Sequence, residues 1–128
     1  MSNEPLARQS GGFTLLELMI VITIVALLAT LAEPIWQQAT LRAKEAALKQ
    51  TLFTMRDVID QYRADHGKYP PALEDLAKDK YIRKIPEDPF TRSAMTWQEI
   101  TDEGEGGIVD IHSGSGLVGS GGMPYNEW

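Results

Sequence analysis

The chain has 128 residues, a formal net charge of −6 and no cysteine. That length supports one small domain at most, and the negative balance disfavours nucleic acid as a partner. With no disulfide to staple it, a small head outside the cytoplasm needs bracing by polymer contacts, a metal or packing onto a long helix.

Residues 1–12 are polar and hold Glu4 and Arg8. Residues 13–33 follow as an apolar run, built from Phe13 to Ala32 of Leu, Ile, Val, Ala, Met, Phe and Thr, with Glu17 inside it and Glu33 closing it. A helix rising about 1.5 Å per residue over that length reaches about 30 Å, the thickness of a bilayer core. A carboxylate at that depth costs about 2.5 kcal/mol or more unless it finds a partner. The order of the segments supplies one. Gly11 and Gly12 lie before the apolar run, whereas an ordinary secretory signal has its small-residue cut site after it. A cut after Gly12 removes the leader, keeps the anchor and frees the amine of Phe13. That amine is cationic below a pKa of about 8. It stands one helical turn from Glu17, and residues four apart share a helix face. Glu17 then meets the amine of its own Phe13 or that of a neighbouring copy. In the second case the pair sets the axial offset between subunits, because any other register leaves both charges unpaired. The competing reading is a plain anchor with a carboxylate tolerated near the interface.

Gly12-Phe13-Thr14-Leu15-Leu16-Glu17 and the apolar helix after it resemble the class III signal of type IV pilins and type II secretion pseudopilins. The match covers the leader, the anchor and the helix beyond, about half of the chain. The resemblance implies that a prepilin peptidase cuts after Gly12 and N-methylates Phe13, and that Glu17 is needed for assembly. It also implies a homopolymer rooted in membrane lipid, an inner-membrane assembly platform with a separate ATPase, and minor pseudopilins as partners. A single pass is implied, N-terminus inside and C-terminal head in the periplasm. Arg8, the one basic residue of the leader, supports that orientation weakly.

Residues 34–67 read as an amphipathic stalk. Pro34 removes one backbone hydrogen bond and tends to kink a helix. The helical pattern nevertheless resumes at once, with Leu41, Leu48, Met55 and Tyr62 seven apart and Leu52 and Ile59 between them. One helix from about 13 to 66 is expected, bent or locally melted near Pro34. The resemblance implies that this proline lets the helix loosen in a filament. The opposite face carries Arg42, Lys44, Glu45, Lys49, Arg56, Asp57, Asp60, Arg63 and Asp65. It reads as solvated, with Glu45 and Lys49 in the favourable i,i+4 order. Gly67 reads as the C-cap.

Residues 68–128 form a head with six basic against eleven acidic residues. Pro70 and Pro71 make a stiff turn. Residues 72–77 read as a short helix with Leu73 and Leu76 on one face. Residues 95–100 and 108–112 read as two strands, joined by the glycine-rich loop 102–107. Two strands alone are marginal in water. They are therefore expected to pack on the stalk, with Leu48, Leu52, Met55 and Ile59 meeting Trp97, Ile100, Val109 and Ile111. Gly67-Lys68-Tyr69-Pro70, residues 85–90 and 110–114 resemble the major pseudopilins of type II secretion.

Residues 113–122 hold five glycines and end before Tyr125 and Trp128. In major pseudopilins the equivalent region wraps a calcium ion, and the resemblance offers Asp110, Ser113, Asn126 and Glu127 as its ligands here. Calcium takes six to eight oxygens, normally several of them carboxylates. The chain has Ser120-Gly121-Gly122 where the family places an Asp before the late glycine. The other reading is a metal-free loop pinned by the two aromatics. Catalysis finds no support. The two histidines are far apart, the serines have no His and acid partner, and Gly114-Ser115-Gly116 lacks the Lys and helix of a phosphate loop.

The expected fold is α+β and pilin-like: one long N-terminal helix, a small antiparallel head and a glycine-rich C-terminal loop. The expected function is that of a structural subunit, not an enzyme, polymerising into a periplasmic pseudopilus of a type II secretion system. A type IV pilin of a surface fibre and a membrane-anchored binding module remain the alternatives.

Overall fold

The computed structural model describes residues 12–128; of the leader expected at 1–12, all but Gly12 lies outside the described residues. The fold is α+β. Helix α1, Leu15–His66, opens on Thr14, whose hydroxyl accepts the Glu17 N–H at 3.2 Å while its carbonyl accepts that of Leu18 at 3.0 Å. A threonine hydroxyl satisfies one of the amides that a first turn otherwise leaves unpaired. The helix closes on Gly67, which adopts φ 72° and donates its N–H to the Arg63 carbonyl at 2.7 Å. That left-handed conformation suits a residue without Cβ. Pro34 lies inside α1, and the helix runs through it. Of the bend or local melting expected there, the melting is absent, because losing one N–H leaves the hydrogen bonds on either side in place.

The chain divides into two compact units, Met1–Ala39 and Thr40–Trp128. In the first, the large apolar side chains from Phe13 to Trp36 are exposed. The stretch is long and apolar enough to cross a membrane.

The second unit holds the core. Leu48, Leu52, Met55, Val58, Ile59 and Tyr62 of α1 pack with Leu73 and Leu76 of α2 (Leu73–Lys78), with Trp97, and with Tyr125. Ile108 and Ile111 of the hairpin complete it. Leu41, at the head of the expected stripe, is exposed. Helix α2 starts where the Asp75 carboxylate accepts the Ala72 N–H at 3.1 Å. It ends where the Leu76 carbonyl takes the N–H of Tyr81 and Ile82.

Strands β1 (Gln98–Thr101) and β2 (Ile108–His112) are antiparallel. Gln98 pairs with His112 and Ile100 with Asp110, but Thr101 pairs with Ile108, so Val109 is the extra residue of a bulge. The bulge reverses the alternation expected of β2. Ile108 is 0% exposed and joins Ile111 in the core, while Val109 is only half-buried. On β1, Ile100 is 41% exposed rather than buried. The two expected core residues Ile100 and Val109 thus give way to Ile108, whose N–H is also held by the Pro70 carbonyl at 2.8 Å.

Candidate functional site

Two places carry the residues that the sequence singles out. At the N-terminal end, Gly12 and Phe13 precede the helix and are exposed, and Glu17 lies exposed in the first turn of α1. A negative side chain there faces the positive end of the helix dipole. Around it, Leu15, Leu16, Leu18, Met19 and Ile20 are exposed. A soluble surface rarely leaves so much contiguous apolar area uncovered. Pro34 lies towards the end of this apolar stretch.

The second place is the C-terminal loop. It is tied down by three groups from distant parts of the chain. Glu45 of α1, 7% exposed, accepts the Ser120 N–H at 2.8 Å, the Ser120 hydroxyl at 2.7 Å and the Tyr125 hydroxyl at 2.8 Å. The Ser120 backbone and hydroxyl bonds hold its carboxyl below the usual range, outweighing burial, with Tyr125 and Lys49 adding to the effect. Burial and the Glu45 carboxylate push the Tyr125 hydroxyl up to about 12. The Tyr125 ring stacks on Phe90 at 3.8 Å and meets Trp128 edge-on at 5.0 Å.

Asp88, 0% exposed, is the second tie. It accepts the Ser113 hydroxyl at 2.5 Å, the Gly114 N–H at 3.0 Å and the Phe90 N–H at 2.9 Å. Gly114 sits so close to the Thr96 main chain that any Cβ would collide with it. Arg56 of α1 is the third. Its Nε donates to Asp110 at 2.6 Å, and its Nη2 to the main-chain oxygens of Ile111 at 3.1 Å and Trp128 at 2.6 Å.

These contacts bear on the calcium ligands that the resemblance offers. Asp110 is engaged by Arg56 and by the Ile111 N–H at 2.8 Å. Ser113 donates to Asp88. Asn126 and Glu127 lie in a 3-10 turn, Tyr125–Glu127. Among the described residues no three His, Asp or Glu side chains form a group that could hold a metal. A cation that takes several carboxylates finds a donor set here that does not fit it.

The sequence pattern alone places Glu45 and Arg56 on a solvated face and assigns Asp88 no role. Glu45 carried a readable signal. It stands three residues before Leu48 and seven before Leu52, on the apolar stripe itself. An acid at such a position is buried and has to be partnered. Arg56, four residues after Leu52, sits at the margin of the stripe, and Asp88 is flanked by Glu87 and Pro89 with no comparable pattern.

Comparison with known proteins decides the family. Residues 7–32 match the prokaryotic N-terminal methylation motif. Over 93% of this chain and 84% of the relative, the chain is 30% identical to type II secretion system core protein G of Pectobacterium carotovorum subsp. carotovorum. The chain belongs to the type II secretion system core protein G family. The Klebsiella pneumoniae member is likewise 30% identical over 94% of this chain and 91% of its own. A fimbrial protein of Neisseria meningitidis serogroup B is 35% identical over 58% of this chain and 48% of its own. No solved structure matches the chain.

Proposed function

We propose that this chain is the structural subunit of a pseudopilus, the periplasmic filament of a type II secretion system. The observation that carries this reading is the overlap of the methylation motif, residues 7–32, with an exposed apolar helix long enough to cross a membrane. The family relation over more than nine-tenths of the chain supports it.

On this reading a prepilin peptidase cuts between Gly12 and Phe13 and methylates the new amine. The anchor sits in the inner membrane with the head in the periplasm. Polymerisation moves the apolar helices from lipid into a filament core, where Glu17 of one subunit meets the amine of a neighbour and sets the register. Pro34 lets the helix loosen as subunits pack. An inner-membrane platform with its own ATPase, and minor pseudopilins, complete the machine.

The test combines the mass of the N-terminal peptide with images of sheared filaments from the same sample. Wild type is expected to begin at a methylated Phe13 and to form filaments. Gly12→Leu keeps the leader. Glu17→Ala is cleaved, stays in the membrane and gives no filaments; normal filament yield from it refutes the register role. Pro34→Ala filaments are expected to differ in subunit rise, and an unchanged rise removes the loosening. The partial match to a fimbrial protein favours, as a second reading, a surface fibre built by the same physics. Filaments reaching beyond the outer membrane at native expression select it.

A further inference from the structure

We propose that the glycine-rich loop of this chain is held without calcium, by a latch in which Glu45, Asp88 and Arg56 engage it at three separate points. The inference concerns the head alone and does not depend on filament assembly.

No Asp or Glu occurs between Asp110 and Glu127, so the loop brings no carboxylate of its own to a cation. Three carboxylates that hold it, those of Glu45, Asp88 and Asp110, are already matched to protein donors. Glu45 faces an N–H and two hydroxyls, all contributed by Ser120 and Tyr125. Asp88 faces one hydroxyl and two N–H groups. Donor hydrogens aimed at a carboxylate occupy the directions a metal would approach along, and they repel a cation. Asp110 is paired with the Arg56 guanidinium, a positive charge that competes with any cation for the same carboxylate.

The latch also does the mechanical work of a metal. A bound ion joins distant loop segments by being their common partner. Here Arg56 joins strand β2 to residue 128, since one guanidinium holds Asp110, the Ile111 carbonyl and the Trp128 oxygen. Glu45 joins helix α1 to the tight turn at 119–122 and to Tyr125. Asp88 joins the loop after α2 to the start of the glycine run. Among the described residues no buried side-chain polar atom in the head is left without a hydrogen-bond partner. A missing ion would orphan several oxygens at its site.

The experiment uses the full chain in detergent micelles and two readouts, Tm and amide hydrogen exchange. Millimolar calcium is compared with chelator. Calcium that binds only the folded head raises Tm by mass action. The expected result is an unchanged Tm, with no heat of calcium binding by calorimetry. A rise of several degrees, with saturable heat, overturns the proposal. Glu45→Gln is expected to lower Tm by about 5 °C or more. It is also expected to speed exchange at the Ser120 and Tyr125 amides at least tenfold more than at Ile108. Unchanged exchange at those two amides rejects Glu45 as the latch. If Glu45→Gln does not fold, Tyr125→Phe reports instead, removing one donor and keeping the ring. A smaller fall in Tm with the same local exchange supports the latch, and no change rejects it.

Discussion

Glu45 shows how one side chain is turned from a surface ion into a structural tie. On a helix it pairs with Lys49 for a few tenths of a kcal/mol. Buried against Ser120 and Tyr125 it makes three charge-assisted hydrogen bonds, the stronger class of such bonds. Its folded carboxyl is more acidic than its unfolded one, whose ordinary value is 4.5. The stability it contributes is therefore fully present above that value and is lost as pH falls through the lowered one. Tyr125 works in the opposite range. Its folded value is raised from 10.0 to about 12, so its contribution is full below pH 10 and is lost as pH rises towards 12. Tyr81, whose hydroxyl donates to Asp65 at 2.5 Å, follows the same sense. Thermal melts across pH are expected to give a plateau bounded by both limits. In Glu45→Gln the excess of wild-type Tm is expected to vanish at the acid end, and an excess that persists there contradicts the assignment.

At the scale of elements, α1 plays two parts. Its N-terminal stretch exposes leucine, isoleucine and valine, and its C-terminal half buries one stripe under the head. The hairpin that covers the stripe is short, and its register is decided at Val109. Because the bulge turns Ile108 inward and leaves Ile100 half out, the two isoleucines differ in their expected cost. Ile108→Ala is expected to destabilise by about 2–5 kcal/mol, the range for truncating a buried aliphatic side chain. Ile100→Ala is expected to stay below about 1 kcal/mol, since surface changes rarely exceed that. Chemical denaturation of both variants checks the order, and equal losses would place the bulge elsewhere. Alternation alone pointed to Val109 and Ile111 as the inward pair. A bulge adds one residue to the count, and nothing in residues 108–112 announces it.

At the scale of the whole molecule, every residue of the apolar core belongs to Thr40–Trp128. Residues 40–128 expressed alone are therefore expected to fold, with a cooperative thermal transition and the near-ultraviolet dichroism of a buried Trp97. A featureless near-ultraviolet spectrum would count against a self-sufficient head. The apolar side chains of 13–36 find no core within their own unit, in keeping with a role that involves lipid or other copies. What the sequence by itself determined is whatever depends on local order: the apolar anchor with Glu17 in it, one helix from about Phe13 to His66 with its cap at Gly67, the stripe of Leu48, Leu52, Met55 and Ile59, and the motif at Gly12 and Phe13. Hydrophobic period and capping chemistry are written within a few residues, so they can be read there. The tertiary structure alone decided the bulge, the burial of Glu45, the grip of Arg56 and the role of Asp88. Each depends on a partner far along the chain: Ser120 lies 75 residues from Glu45, Asp110 lies 54 from Arg56, and Ser113 lies 25 from Asp88. A carboxylate's worth is set by the donors that folding brings to it, and no local pattern records where those donors will be.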